Sequence, residues 1–206
     1  AEKLLVFGDY WKQELSLNEF WGDELIVSGS LRVEKWRQQQ LKKYDITTLV
    51  LTTQDEIDAN LYINFLKGFL DEQGQDLTVQ IFIKLHQAEA NKSTYEKILS
   101  DFKNVHLVSG SESPSTFELL AKSHFHMSVY STCHFEALAL GTPTIILPFK
   151  GYEAILPLFN YGHAFIASTP QNLFNLLQKK HPQISKKISY TYFASESLNK
   201  MTSELC

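Results

Sequence analysis

The chain has 206 residues, 44% of them apolar and 20% charged, which fits a globular domain with an appendage and excludes disordered, collagenous and coiled-coil classes. The formal net charge is -4, and basic residues are scattered beyond short pairs such as Lys42-Lys43, Lys179-Lys180 and Lys186-Lys187, so no nucleic-acid footprint exists. Two cysteines, Cys133 and Cys206, cannot build a disulfide framework, and no apolar run approaches the ~18 residues of a membrane span. The expectation is a soluble chain in a reducing cytoplasm.

Leu4–Phe7 and Glu24–Val27 read as short strands around a helical Tyr10–Phe20 stretch, closed by Ser28-Gly29-Ser30. A lone βαβ unit cannot bury its own faces, so this segment is expected either to belong to a neighbouring domain or to add to an edge of a larger sheet. The opening run Ala1-Glu2-Lys3-Leu4-Leu5-Val6-Phe7-Gly8 is too short and wrongly flanked for a signal peptide, and its abruptness suggests a piece of a longer protein.

From residue 46 onward, β-branched runs alternate with amphipathic stretches, the mark of βα units feeding a parallel sheet. Ile46–Thr52 is a predicted strand and Asp55–Glu72 a predicted helix; Thr78–Lys84 is the next strand, with a helix over Ser93–Phe102. Val105–Val108, Phe125–Tyr130 and Thr144–Leu147 follow as strands, with helices near Ser115–Lys122 and His134–Leu140 between them. A weak strand over His163–Ala167 precedes a helix starting near Pro170, a favoured first-turn position. Apolar positions at Ile184, Ile188, Tyr192, Phe193, Leu198 and Met201 predict a terminal helix that docks elsewhere.

The strands read as apolar on both faces. The predicted fold is therefore α/β: a doubly wound, Rossmann-like, mainly parallel sheet of about six strands with helices on both faces. In such sheets ligands sit beyond the carboxyl ends of the strands.

Four polar clusters are predicted to meet there. Thr52-Thr53-Gln54-Asp55 can cap the following helix or bind an anion at its positive end. In Lys84-Leu85-His86-Gln87 an apolar strand ends in a lysine and a histidine; His86 can contact or protonate a leaving phosphate, or simply be hydrogen-bonded in a loop. In Tyr130-Ser131-Thr132-Cys133-His134-Phe135-Glu136, paired hydroxyls precede a helix, an anion cradle in which Glu136 sits about one turn inside. There Glu136 can accept from vicinal ribose hydroxyls or merely complement the helix dipole. The loop Ser109-Gly110-Ser111-Glu112-Ser113-Pro114-Ser115-Thr116 can offer backbone groups to a nucleobase edge.

Signals of other chemistries are missing: a Gly-rich dinucleotide fingerprint, a phosphate-binding P-loop and a nucleophile elbow. His124, His126, Cys133 and His134 do not have the spacing of a metal cluster, so no metal and no cofactor beyond a substrate nucleotide are expected.

Lys84-Leu85-His86 followed by Tyr130-Ser131-Thr132, Glu136-Ala137-Leu138-Ala139-Leu140-Gly141 and Thr142-Pro143-Thr144 resembles bacterial glycosyltransferases of the GT-B type, nearest to capsular polysaccharide and sialyltransferase-like members. The resemblance covers roughly residues 22 to 180. It implies the C-terminal, donor-binding domain of a metal-independent transferase, and a reaction moving a sugar from a nucleotide to an acceptor hydroxyl without a covalent enzyme intermediate. By match to the family motifs, His86 contacts the donor phosphate, Ser131 and Thr132 supply its hydroxyls, and Glu136 holds the ribose. Lys84 assists by charge, and Thr53 and Gln54 sit where the first strand opens to the cleft.

Residues 1–30 are then the end of an acceptor domain with the crossing segment Asp23–Leu31, residues 31–180 the donor-binding domain, and residues 181–206 a helical tail. Gln87 departs from the family's usual proline after the histidine, and the general base falls to the other half. The implied partners are a nucleotide-sugar, with CMP-sialic acid preferred, and a glycan or glycolipid acceptor. The fragment is expected to bind without turning over, and peripheral membrane association and oligomerisation of the full-length protein stay open. Nucleotide-sugar epimerases share the fold and its strand–hydroxyl–helix–Glu arrangement, and a non-catalytic nucleotide-binding or assembly module built on Tyr10, Trp11, Phe20 and Trp21 is a third reading.

Overall fold

The structure, a computed structural model, describes residues 3–17, 22–72, 79–88, 91–179 and 182–205. The N-terminal segment folds as β1 (Leu4–Val6), α1 (Asp9–Ser16) and β2 (Leu25–Val27), with the strands parallel and Leu4 opposite Leu25. They form a two-stranded sheet of their own, which corrects the alternative of an added edge strand. Phe20, Trp21, Thr78, His181 and Cys206 lie outside the described residues. Helix α2 (Leu31–Gln38) was not expected from periodicity, because Val33 is its one buried residue. Ser30 starts it, its hydroxyl accepting from the Val33 amide.

The main sheet follows in chain order: β3 (Thr48–Thr52), α3 (Ala59–Glu72), β4 (Gln80–Lys84), α4 (Lys92–Leu99), β5 (Val105–Val108) and α5 (Thr116–Lys122). It continues through β6 (Phe125–Ser128), α6 (Cys133–Ala139), β7 (Thr144–Ile146), α7 (Leu156–Asn160), β8 (Ala164–Ile166) and α8 (Pro170–Gln178). The six strands are all parallel, in the order β5-β4-β3-β6-β7-β8. This is the doubly wound order, whose crevice opens where β3 and β6 lie side by side.

The period of two in β3 shows how the faces are filled. Leu49 and Leu51 pack with Tyr62, Leu66 and Phe69 of α3 and Leu173 of α8, whereas Val50 packs with Leu119 and Leu120 of α5 and Ala137 of α6. Apolar strands on both faces hold for β3 but not for β6. His126 and Ser128 are fully buried there, paired in register with Thr144 and Ile146. Burying those groups is tolerable because each is bonded: His126 Nδ1 meets Thr144 Oγ1 at 2.8 Å and its Nε2 meets Thr52 Oγ1 at 2.9 Å, and the Ser128 hydroxyl donates to the Thr52 carbonyl at 2.7 Å; His134 Nδ1 shares Thr144 Oγ1 at 2.6 Å. Burial pushes the His134 imidazole down to about 3 and holds His126 well below its ordinary value, so both rings are neutral struts between α6 and the sheet.

The tail forms two helices where one was expected, α9 (Lys186–Tyr192) and α10 (Ser197–Leu205). They close over the N-terminal unit. Trp11 Nε1 donates to the Tyr192 carbonyl at 2.9 Å, the Ala194 amide to the Phe7 carbonyl at 2.8 Å, and the rings of Tyr10 and Trp11 pack tilted against Phe135 of α6. Glu34 of α2 accepts from the Glu196 and Ser197 amides at 3.1 and 2.7 Å, capping the start of α10. Among the described residues no helix is long and apolar enough to cross a membrane.

Candidate functional site

At the switch point the chain leaving β3 turns toward α3 and the chain leaving β6 toward α6. Thr53 is buried, and its hydroxyl accepts from the His86 amide at 2.9 Å while its own amide donates to the Lys84 carbonyl at 3.1 Å. Gln54 Oε1 accepts from the Tyr130 amide at 3.0 Å, a strut between the two loops. Both residues therefore shape the floor of the crevice through backbone contacts.

Ser131 Oγ accepts from the Cys133 amide at 3.2 Å, which leaves its hydroxyl proton to donate. Thr132 is exposed and its hydroxyl caps nothing, and among the described residues the amides of Ser131 and Thr132 carry no partner. Hydroxyl and amide donors within two consecutive residues can take one anion. The neighbouring Cys133 is free, and burial pushes its thiol up to about 12, so it is no nucleophile at neutral pH.

One turn into α6, Glu136 is 8% exposed, and Oε1 accepts from Arg32 Nη2 at 2.8 Å. Burial raises the Glu136 carboxyl above its ordinary value, and the Arg32 charge opposes the shift. Arg32 lies with its guanidinium over the Phe117 ring, 4.6 Å from the centroid, and its side chain is 68% exposed. Arg32, Thr132, Cys133, Glu136, Gly110 and Ser115 share a cleft of about 360 Å³.

His86 and Lys84 stand differently from one another. His86 is exposed; its Nδ1 accepts from the Ala88 amide at 3.3 Å and lies 3.5 Å from Asp55 Oδ1. An accepting Nδ1 leaves the ring proton on Nε2, where a phosphate oxygen can take it as a donor. Lys84 is 3% exposed, and its ammonium donates to the carbonyls of Ser109, Glu112 and Pro114 at 2.8, 2.6 and 3.1 Å. All three of its hydrogens are thereby used, so Lys84 binds the loop and not a ligand. Burial lowers its ordinary value, partly offset by Glu112.

Arg32 escaped sequence reasoning because nothing in the chain ties residue 32 to a helix 104 positions away. Glu56 was missed as a cleft group because the predicted helix absorbed it. In the structure α3 begins at Ala59, and Tyr130 Oη donates to Glu56 Oε2 at 2.7 Å, which lifts the phenol to about 12. A separate hollow of about 430 Å³ lies at the other end of α6, lined by Trp36, Arg37, Lys43 and Tyr190. Two of its cations are committed: Arg37 Nε donates to the Ala139 carbonyl at 2.9 Å and Lys43 Nζ to the Ser123 carbonyl at 2.7 Å, at helix ends.

Several solved structures share the fold. The UDP-GlcNAc 2-epimerase of Neisseria meningitidis bound to UDP-GlcNAc is similar with TM-score 0.64 and 18% identity, over 94% of this chain and 58% of that one. The Methanocaldococcus jannaschii UDP-GlcNAc 2-epimerase in complex with UDP-GlcNAc and UDP gives TM-score 0.61 and 13% identity over 100% and 60%. The wall teichoic acid polymerase TagF gives TM-score 0.58 and 19% identity over 99% and 56%. At such identities the likeness shows the fold alone, a Rossmann-like domain of the GT-B type. The chain spans 56–62% of the length of the structures it matches. No protein-family model matches the sequence, and no curated protein does.

Proposed function

We propose that the chain is the donor-binding domain of a GT-B glycosyltransferase, which holds a nucleotide-sugar while its sugar passes to an acceptor hydroxyl in surface or capsular polysaccharide synthesis. What supports this most is the pairing of a buried Glu136 with Arg32 in the cleft that Thr132 also lines, at the switch point of the sheet. Glu136 accepts from the ribose hydroxyls. Ser131 and Thr132 donate to the phosphate, and His86 contacts the phosphate as it departs. Neutralising that charge in a partly dry cleft is the domain's contribution to the rate. The acceptor, a glycan or glycolipid, and the general base belong to the part of such proteins that this chain does not span, so residues 1–30, 31–180 and 181–206 are read as crossing segment, donor domain and tail. The setting read for it is cytoplasmic.

A CMP-sugar is the finer expectation, from motif likeness; the solved neighbours with UDP-GlcNAc and UDP favour uridine. Thermal-shift titration with CMP, CDP, UDP and GDP decides both points. A ligand at 100 times its dissociation constant raises stability by about 2.7 kcal/mol. A shift with one nucleotide, lost in Ser131→Ala, is the expected result, and no shift with any of the four sinks the donor site.

An epimerase is the second reading, favoured by the carboxylates of Asp55 and Glu56 beside His86 and Tyr130. Interconversion of UDP-GlcNAc epimers by the full-length protein, followed by NMR without acceptor, would select it over transfer.

A further inference from the structure

We infer that Lys84 is the positioning residue of a nucleobase subsite, turning the carbonyls of the 109–114 loop inward so that the loop offers amide donors to the carbonyl edge of a pyrimidine; this rests on the nucleotide reading above. Its three hydrogen bonds go to Ser109, Glu112 and Pro114, spanning the loop between β5 and α5. In a trans peptide the C=O of one residue and the N–H of the next point in opposite directions. Fixing those carbonyls on the ammonium therefore aims the amides of Gly110, Ser113 and Ser115 away from Lys84. Gly110 and Ser115 line the cleft that holds Arg32 and Glu136, and neither amide has a partner among the described residues.

The loop is pinned from two more sides. Glu112 Oε2 accepts from the Ser109 amide at 3.1 Å, and the Glu112 amide donates to the Ser109 carbonyl at 3.1 Å. Gly110 lies against Gln87, where an added Cβ would meet Gln87 Cα at 2.7 Å. A buried ammonium is costly unless its hydrogens are all bonded, and a neutral side chain in its place would free the three carbonyls to turn. An array of outward amides selects acceptors, which uracil and cytosine supply through their ring carbonyls.

The experiment compares UMP with ribose 5-phosphate, which carries an anomeric hydroxyl in place of the base, by calorimetric titration of the wild-type chain and of Lys84→Met. The expected result is a base preference in the wild type that falls about tenfold in the variant, equivalent to about 1.4 kcal/mol, with ribose 5-phosphate affinity unchanged. Equal weakening of both ligands would mean that Lys84 serves the phosphate, and an unchanged preference would mean that it serves neither; either overturns the inference. Failure of the wild type to bind UMP would instead remove the nucleotide reading itself. Should Lys84→Met not fold, Gly110→Ala displaces the same loop without touching the buried cation. It is expected to show the same selective loss, and a retained base preference there overturns the subsite.

Discussion

Glu136→Gln separates what the carboxylate does for a ligand from what it does for the fold. A carboxylate accepting from both ribose hydroxyls makes charge-assisted bonds worth about 1.5–3 kcal/mol each, against about 0.5–1.5 for a neutral amide oxygen. The substitution is therefore expected to weaken nucleotide binding by about 2 kcal/mol, roughly thirtyfold. Stability should move the other way. Burial raises the Glu136 carboxyl above 4.5, so its stabilising contribution is complete below the unfolded value and is lost as pH rises through the folded one.

Once ionised, the buried Glu136 is thus a liability. Its partner Arg32, 68% exposed, offsets this by only about 0.5 kcal/mol. Calorimetry with UMP and 2′,3′-dideoxy-UMP reads the first effect, and melting temperature against pH the second. The wild type should prefer UMP strongly and the variant only weakly, while the variant melts no lower than the wild type at neutral pH and the difference vanishes in acid. A wild type indifferent to the ribose hydroxyls, or a variant that melts well below it, would refute the reasoning.

Thr132→Ala should leave stability within about 0.5 kcal/mol, since the side chain is exposed and bonds nothing, yet weaken phosphate-bearing ligands up to about tenfold in the same titration. Thr144→Val strips the shared partner from His126 Nδ1 and His134 Nδ1, and urea unfolding should show a loss of about 2–4 kcal/mol. Both imidazoles are depressed, so the stability they contribute is full above 6.5 and falls as pH drops toward about 3 for His134. Melting temperature should accordingly decline below 6.5, and the decline should be shallower in His134→Gln.

Strands and helices of the main sheet were legible because β-branched runs and apolar periodicity are local. Val105–Val108 is reproduced to the residue, and the hydroxyl of Ser115 caps α5 where its helix was expected to begin. Helix α2 was not legible, since a helix that buries one side chain leaves no stripe in the sequence. The tail read as one helix because Phe193 and Ala194, buried between α9 and α10, continue its apolar pattern. At the site, Ser131, Thr132 and Glu136 stand out locally because a strand runs straight into a helix. The role of Lys84 did not, because charge at a strand end looks the same whether it faces a ligand or three carbonyls of its own chain.

The most direct measurement is amide chemical-shift mapping of the chain titrated with UDP and CMP. A donor site at the switch point predicts saturable shifts at Gly110, Ser131, Thr132 and Glu136, with the Arg37, Lys43 and Tyr190 hollow at the far end of α6 unmoved. Shifts confined to that hollow, or none with either nucleotide, would contradict it.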